Sequence, residues 1–261
     1  MILLSTPRLR VEITEPGQRP NDTCRFDRAG YISDVTLDGM VHFCSSEPRN
    51  LWHPCTGGRG LCCEFLADYS REVLPGAYFP KFGVGLFPRG DEPHIFYRRY
   101  ENMQEFPVHV TASENQVFFE TEAIPCRGIA LKLKKTVSVH DNVLTMETEA
   151  CNSGERPVST REYCHNFLCI NGMSLGPDYS IELPDLGDFG TDTQIDIYGN
   201  PCNWCGDGHG FTLSRSSAEV AYIHVDLSSL HETEYFTWII RHKGDGAWVE
   251  GHDYFRPDGM D

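Results

Sequence analysis

The segment Thr160-Arg161-Glu162-Tyr163-Cys164-His165-Asn166-Phe167-Leu168-Cys169-Ile170-Asn171-Gly172 sets an imidazole, an amide and a phenol inside an apolar, β-prone run. A histidine held there by burial and hydrogen bonds can serve as a general acid or base, because its ordinary pKa of about 6.5 lies near neutrality. The structural alternative is a core histidine whose ring nitrogens are satisfied by neighbours. Two more charges stand alone in apolar surroundings: Glu64 in Leu61-Cys62-Cys63-Glu64-Phe65-Leu66, and Lys81 in the aromatic, glycine-rich run 75–88. A charge in such a place must be paired, hydrogen-bonded or aimed into a polar cavity. For Glu64 the alternative is an outward-facing edge position. The glycines around Lys81 allow a close backbone approach, and they have neither the spacing nor the following helix of a phosphate loop.

Pro201-Cys202-Asn203-Trp204-Cys205-Gly206-Asp207-Gly208-His209 carries a CxxC spacing, which can chelate zinc or cycle as a dithiol. One such pair is half a zinc site, and its partners would have to come from scattered positions such as Cys62, Cys63 or His209. A redox motif would be followed by a helix, whereas the glycines after Cys205 read as loop. A structural loop with free thiols is the expectation. No strained Gly-x-Ser-x-Gly elbow is present for a serine nucleophile. Paired carboxylates for glycoside hydrolysis stay open, since such groups meet in space and not in sequence.

The elements that would position these groups are strands. Residues 30–44 read as two short strands about Asp38-Gly39, a strong hairpin signal. From 127 to 150 Ile129, Leu131, Leu133, Val137 and Val139 share one parity against Lys132, Lys134, Thr136 and Ser138. After His140-Asp141-Asn142, Leu144, Met146 and Ala150 resume a period of two, so this is a long hairpin. β-rich runs recur at 96–100, 108–110, 117–121, 180–183, 220–225, 235–241 and 247–255, and residues 45–60 read as a loop. With 16 prolines and 24 glycines the chain offers no convincing amphipathic helix. The expectation is an all-β, antiparallel protein forming one domain over residues 1–261, with no internal repeat.

The formal net charge of −16 disfavours nucleic acid as a partner and leaves neutral sugars allowed. No apolar run reaches membrane-spanning length, and the opening apolar residues are too few for a signal-peptide core, so a cytoplasmic protein with no membrane partner is expected. Eleven cysteines, an odd number, then read as reduced thiols.

Four stretches occur in order: Gly60-Leu61-Cys62-Cys63-Glu64-Phe65, Phe79-Pro80-Lys81-Phe82-Gly83-Val84-Gly85, the strand ending Leu133-Lys134-Lys135-Thr136-Val137-Ser138-Val139, and Tyr163-Cys164-His165-Asn166-Phe167. Together they resemble the aldose 1-epimerase (galactose mutarotase-like) superfamily over roughly residues 30–255. The resemblance implies a β-supersandwich with a sugar-binding cleft, a small-molecule sugar as substrate, and no metal or organic cofactor. It gives His165 the role of general acid and Glu250 that of general base, with Glu64, Lys81, Tyr163 and Asn166 as substrate-binding residues. In that family the base glutamate is commonly followed by proline, where this chain has Gly251. The family's first histidine has only His94 and His109 as counterparts. The implied reaction interconverts sugar anomers: the base takes the C1 hydroxyl proton, the acid protonates the ring oxygen, and the ring opens, rotates and closes. Tyr163, Phe79, Trp204 and Trp248 are candidates for stacking on a pyranose. A non-catalytic sugar-binding protein on the same scaffold, and a lyase or glycoside hydrolase on a related sandwich, are the competing readings.

Overall fold

The computed structural model describes residues 1–18, 25–47, 56–173, 178–184, 194–197, 203–206, 210–215, 221–224 and 235–254, with backbone alone for 194–224, Tyr235 and Tyr254. The chain divides into two compact units, Met1–Leu168 and Cys169–Asp261. In the first unit the strands are β1 (Ile2–Ser5), β2 (Leu9–Thr14), β3 (Tyr31–Leu37), β4 (Val41–His42), β5 (Leu61–Leu66), β6 (Tyr78–Lys81) and β7 (Gly85–Pro88). They continue with β8 (Gln104–Glu105), β9 (Val108–Ala112), β10 (Gln116–Thr121), β11 (Leu131–His140), β12 (Val143–Asn152) and β13 (Arg161–Asn166). Three sheets result: β1-β2-β3-β5-β13 with β4 on β3, then β12-β11-β10-β9, and β6-β7-β8.

The second unit holds β14 (Tyr179–Glu182), β15 (Gln194–Ile197), β16 (Asn203–Gly206), β17 (Gly210–Arg215), β18 (Ala221–His224), β19 (Tyr235–His242) and β20 (Trp248–Tyr254). Its strands order as β16-β17-β14-β19-β20, with β15 paired to β18. Every pairing between these strands is antiparallel. Among the described residues the only helical element is a 3-10 turn, Tyr69–Glu72, and no helix is long and apolar enough to cross a membrane. The all-β, antiparallel class expected from the sequence is the class observed.

Local turn chemistry explains the hairpins. Asp38 and Gly39 both take positive φ, 50° and 68°, and the Met40 N–H donates to the Leu37 carbonyl, the arrangement of a type I′ turn. In the long hairpin His140 pairs with Val143 about Asp141-Asn142, and β11 alternates buried with half-exposed positions as its sequence parity requires.

Four details depart from the sequence reading. Two strands that the sequence reading did not mark, β1 and β2, precede residue 30, with Leu9, Val11 and Ile13 facing inward from β2. Residues 96–100 form no strand: Phe96 and Tyr97 lie in a turn, Phe96 sits under the Arg25 guanidinium and Tyr100 stacks on Phe87. β12 keeps no buried face; it ends its sheet and covers β11 from one side only. Lys135, which shares the parity of Leu133 and Val137, is buried with them.

The first unit's core joins all three of its sheets. Phe65 of β5, Phe79 of β6, Phe87 of β7 and Leu131 and Leu133 of β11 form one cluster, each side chain contributing roughly 1.5–3 kcal/mol by leaving water. Lys135 enters the interior further along the same face of β11 and donates to Asp27 Oδ2 at 2.7 Å. Burial opposes its charge, but the Asp27 carboxylate outweighs that and raises the ammonium above its ordinary range. Two glycines make room for the pair. A Cβ on Gly30, at φ +64°, would stand 2.4 Å from Lys135 Cδ, and one on Gly83, at φ +73°, would stand 2.7 Å from Asp27 Oδ1.

Removing one member strands the other in the core, so Asp27→Asn and Lys135→Met should each destabilise by about 3–5 kcal/mol. The double variant Asp27→Asn/Lys135→Met should cost clearly less than the sum of the two. Urea unfolding of all four proteins checks this, and additive losses would rule out a coupled pair.

Candidate functional site

β13 lies directly along β5, with Tyr163 opposite Glu64, Cys164 opposite Cys63 and His165 opposite Cys62. Since strand side chains alternate, the two-strand ribbon has two chemically different faces. One carries Cys62, Glu64, Tyr163 and His165; the other carries Cys63, Phe65, Glu162 and Cys164.

Glu64 is the centre of the first face. It sits at 1% exposure in a strand flanked on both sides, so its charge survives only if donors replace water. Three do. Lys81 Nζ donates to Oε1 at 2.8 Å, while Arg25 Nε and the Tyr163 hydroxyl donate to Oε2 at 2.7 and 2.6 Å. Lys81 also donates to the Phe65 carbonyl at 2.9 Å, and Arg25 Nη2 donates to the Tyr163 oxygen at 2.8 Å. The guanidinium lies between the rings of Phe26 and Phe96, 4.8 and 4.7 Å from their centroids. On its far side, Glu47 Oε2 accepts from Thr56 N, Thr56 Oγ1 and Gly58 N at 2.6, 2.7 and 3.1 Å, holding Glu47 to the segment 56–58 beside Arg25 Nη1.

These contacts set the protonation states. Burial works against the Glu64 charge, but Lys81, Arg25 and Tyr163 hold its carboxyl below the usual carboxylate range. Among the described residues Lys81 pairs with one carboxylate, shared with Arg25, and burial pushes its amine below the ordinary range. Burial and the adjacent Glu64 charge push the Tyr163 phenol up, which keeps it a neutral donor.

His165 follows on the same face. Its ring is half-buried and stacks on Phe167, with centroids 4.4 Å apart and planes at 14°. Phe26 meets it edge-on at 5.5 Å, and Tyr163 lies 5.7 Å away. Gly58 permits this packing, since a Cβ there would stand 2.4 Å from the Phe167 ring.

Glu64, Lys81, Tyr163 and His165 are therefore brought together, whereas Asn166 falls on the opposite face of β13 by alternation. Glu250 belongs to the second unit, exposed on β20, where its carboxylate pairs with His252 Nε2 at 3.0 Å. Gly251 beside it is opposite Trp238, and a Cβ would come within 2.1 Å of the indole. That contact accounts for glycine at this position. Of the stacking candidates, Phe79 is core at 1% exposure, Trp248 is exposed beneath Arg241, and the side chain of Trp204 lies outside the described residues, as do Cys202 and His209.

Sequence reasoning missed Arg25, Glu47, Thr56 and Phe96. A lone arginine beside Phe26 has no period or motif to mark it; its meaning comes from partners 39 and 138 residues away. Comparisons of the chain with family models, with curated proteins and with solved structures find no match in any of the three.

Of the two candidate first histidines, His109 is exposed on β9 and pairs with Glu122. His94 packs against Phe79, Phe87 and Tyr100, accepts or donates at Nδ1 with the Tyr100 hydroxyl at 2.8 Å, and buries Nε2 without a hydrogen-bond partner among the described residues. Burial, helped by nearby Lys81, brings its pKa down to about 4. A depressed histidine pKa means that the unfolded chain binds the proton first, so the folding stability tied to His94 is present above pH 6.5 and is lost as pH falls toward 4. The loss should be on the order of 3–4 kcal/mol, at about 1.4 kcal/mol per pKa unit. Urea unfolding at several pH values should show a flatter profile for His94→Gln over that interval; parallel profiles would refute the assignment.

Proposed function

We propose that this chain is a carbohydrate epimerase of the aldose 1-epimerase type, interconverting sugar anomers by acid and base ring opening. The observation that carries the reading is the placement of His165: half-buried, stacked on Phe167, and on the same strand face as the Tyr163–Glu64–Arg25 array. An imidazole so oriented is suited to protonating a ring oxygen, while fixed hydroxyl and guanidinium donors suit neutral sugar hydroxyls. Within the array Arg25 and Lys81 match Glu47 and Glu64, which favours an uncharged ligand over a phosphorylated one. Glu64 already accepts three hydrogen bonds and holds a depressed pKa, so its role is to position Arg25 and Tyr163; it is the family resemblance that gives Glu250 the role of base.

That saturation of Glu64 also favours a second reading, a protein that binds sugars without turning them over. Polarimetry of freshly dissolved α-glucose and α-galactose separates the two. The first reading expects mutarotation faster than the buffer rate, reduced by about 100-fold or more in His165→Gln and in Glu250→Gln. Calorimetric sugar binding with no acceleration would support the second reading. Full activity in His165→Gln would overturn the first.

A further inference from the structure

The opposite face of the β5–β13 ribbon has its own chemistry. Cys63 and Cys164 are directly opposed across the two strands with their sulfurs 3.9 Å apart, and Glu162 stands two positions before Cys164 on the same side. One ligand atom from each of the three lies within 4.8 Å of the others. We infer that Cys63, Glu162 and Cys164 form a site for one thiophilic divalent cation of the zinc(II) class.

The separations fit such an ion. With Zn–S bonds of about 2.3 Å, two thiolates on neighbouring corners of a tetrahedron stand about 3.8 Å apart, close to the observed spacing. A disulfide would need the sulfurs at about 2.05 Å, a much larger closure. Two thiolates with one carboxylate form a soft-weighted donor set that selects zinc or cadmium over magnesium or calcium. Cys63 is buried at 2% exposure and forms the floor, whereas Glu162 and Cys164 are exposed, so the ion enters from the solvent side and keeps a fourth position for water. Binding exchanges two thiol protons for the metal, and both protons leave to solvent.

The electrostatics are compatible. Lys135 approaches Cys63 and Glu162 from β11, but its charge is matched by Asp27 at 2.7 Å. Two thiolates and a carboxylate then exceed the charge of the cation by one, in a chain of net charge −16. The ion would pin β13, which ends its sheet, to β5. Because Glu64, Tyr163 and His165 lie on the other face, the site is independent of the sugar reading.

The test uses the full reduced chain carrying Cys202→Ser and Cys205→Ser, which removes the CxxC thiols, titrated with cadmium(II) and then displaced by zinc(II). One equivalent should bind with a thiolate-to-cadmium charge-transfer absorption in the ultraviolet and raise Tm. Cys164→Ser, at an exposed position, should abolish both changes while leaving the metal-free Tm close to the parent. Glu162→Gln should weaken binding about tenfold with the absorption retained. The site is overturned if Cys164→Ser binds with the same absorption, if Glu162→Gln binds as tightly as the parent, or if the reduced protein takes up no cadmium while mild oxidation joins Cys63 to Cys164.

Discussion

A carboxylate at 1% exposure in the middle of a sheet is the constraint on which the first unit depends. Glu64 cannot remain charged there without donors, and the donors come from three separate places: Lys81 at the end of β6, Arg25 ahead of β3 and Tyr163 on β13. One side chain thereby fixes how four parts of the chain approach one another. A second buried pair, Asp27 with Lys135, lies two residues beyond Arg25 and ties the same segment to β11. The short run 25–27 therefore links two clusters, with Phe26 packed under the imidazole of His165.

The alternation of β5 and β13 converts adjacency in sequence into separation in space. Tyr163 and His165 turn toward the charged array, while Glu162 and Cys164 turn away from it. Both faces draw on the same register, so a slip of one residue would bury Cys63 where Glu64 belongs and expose Glu64 to the core at Phe65. The three hydrogen bonds to Glu64 oppose such a slip, since none of the donors would find its acceptor.

The array is closed on itself. Its charges are matched internally, with the phenol of Tyr163 pushed up and the carboxyl of Glu64 held down, so the phenol stays a neutral donor and the carboxylate stays ionised near neutral pH. His165 stands outside this hydrogen-bonded array and meets it through the ring of Tyr163, 5.7 Å away. In the second unit the indole of Trp238 over Gly251 fixes the course of β20 and leaves Glu250 on its exposed side.

The local features were legible from residues alone. Asp38-Gly39 and Asp141-Asn142 announce their hairpins because turn conformation is decided by a few neighbouring residues, and the parity of β11 sets its buried face. Glu64 and Lys81 were visible as charges requiring partners. Even Lys135 was legible in principle, since it shares the parity of Leu133 and Val137. What the residues could not disclose was which charges meet: Arg25 finds Tyr163 across 138 positions, and Cys63 finds Cys164 across 101. Strand order and register decide those meetings, and both follow from how whole sheets bury their apolar faces, a property of the folded chain and not of any segment within it.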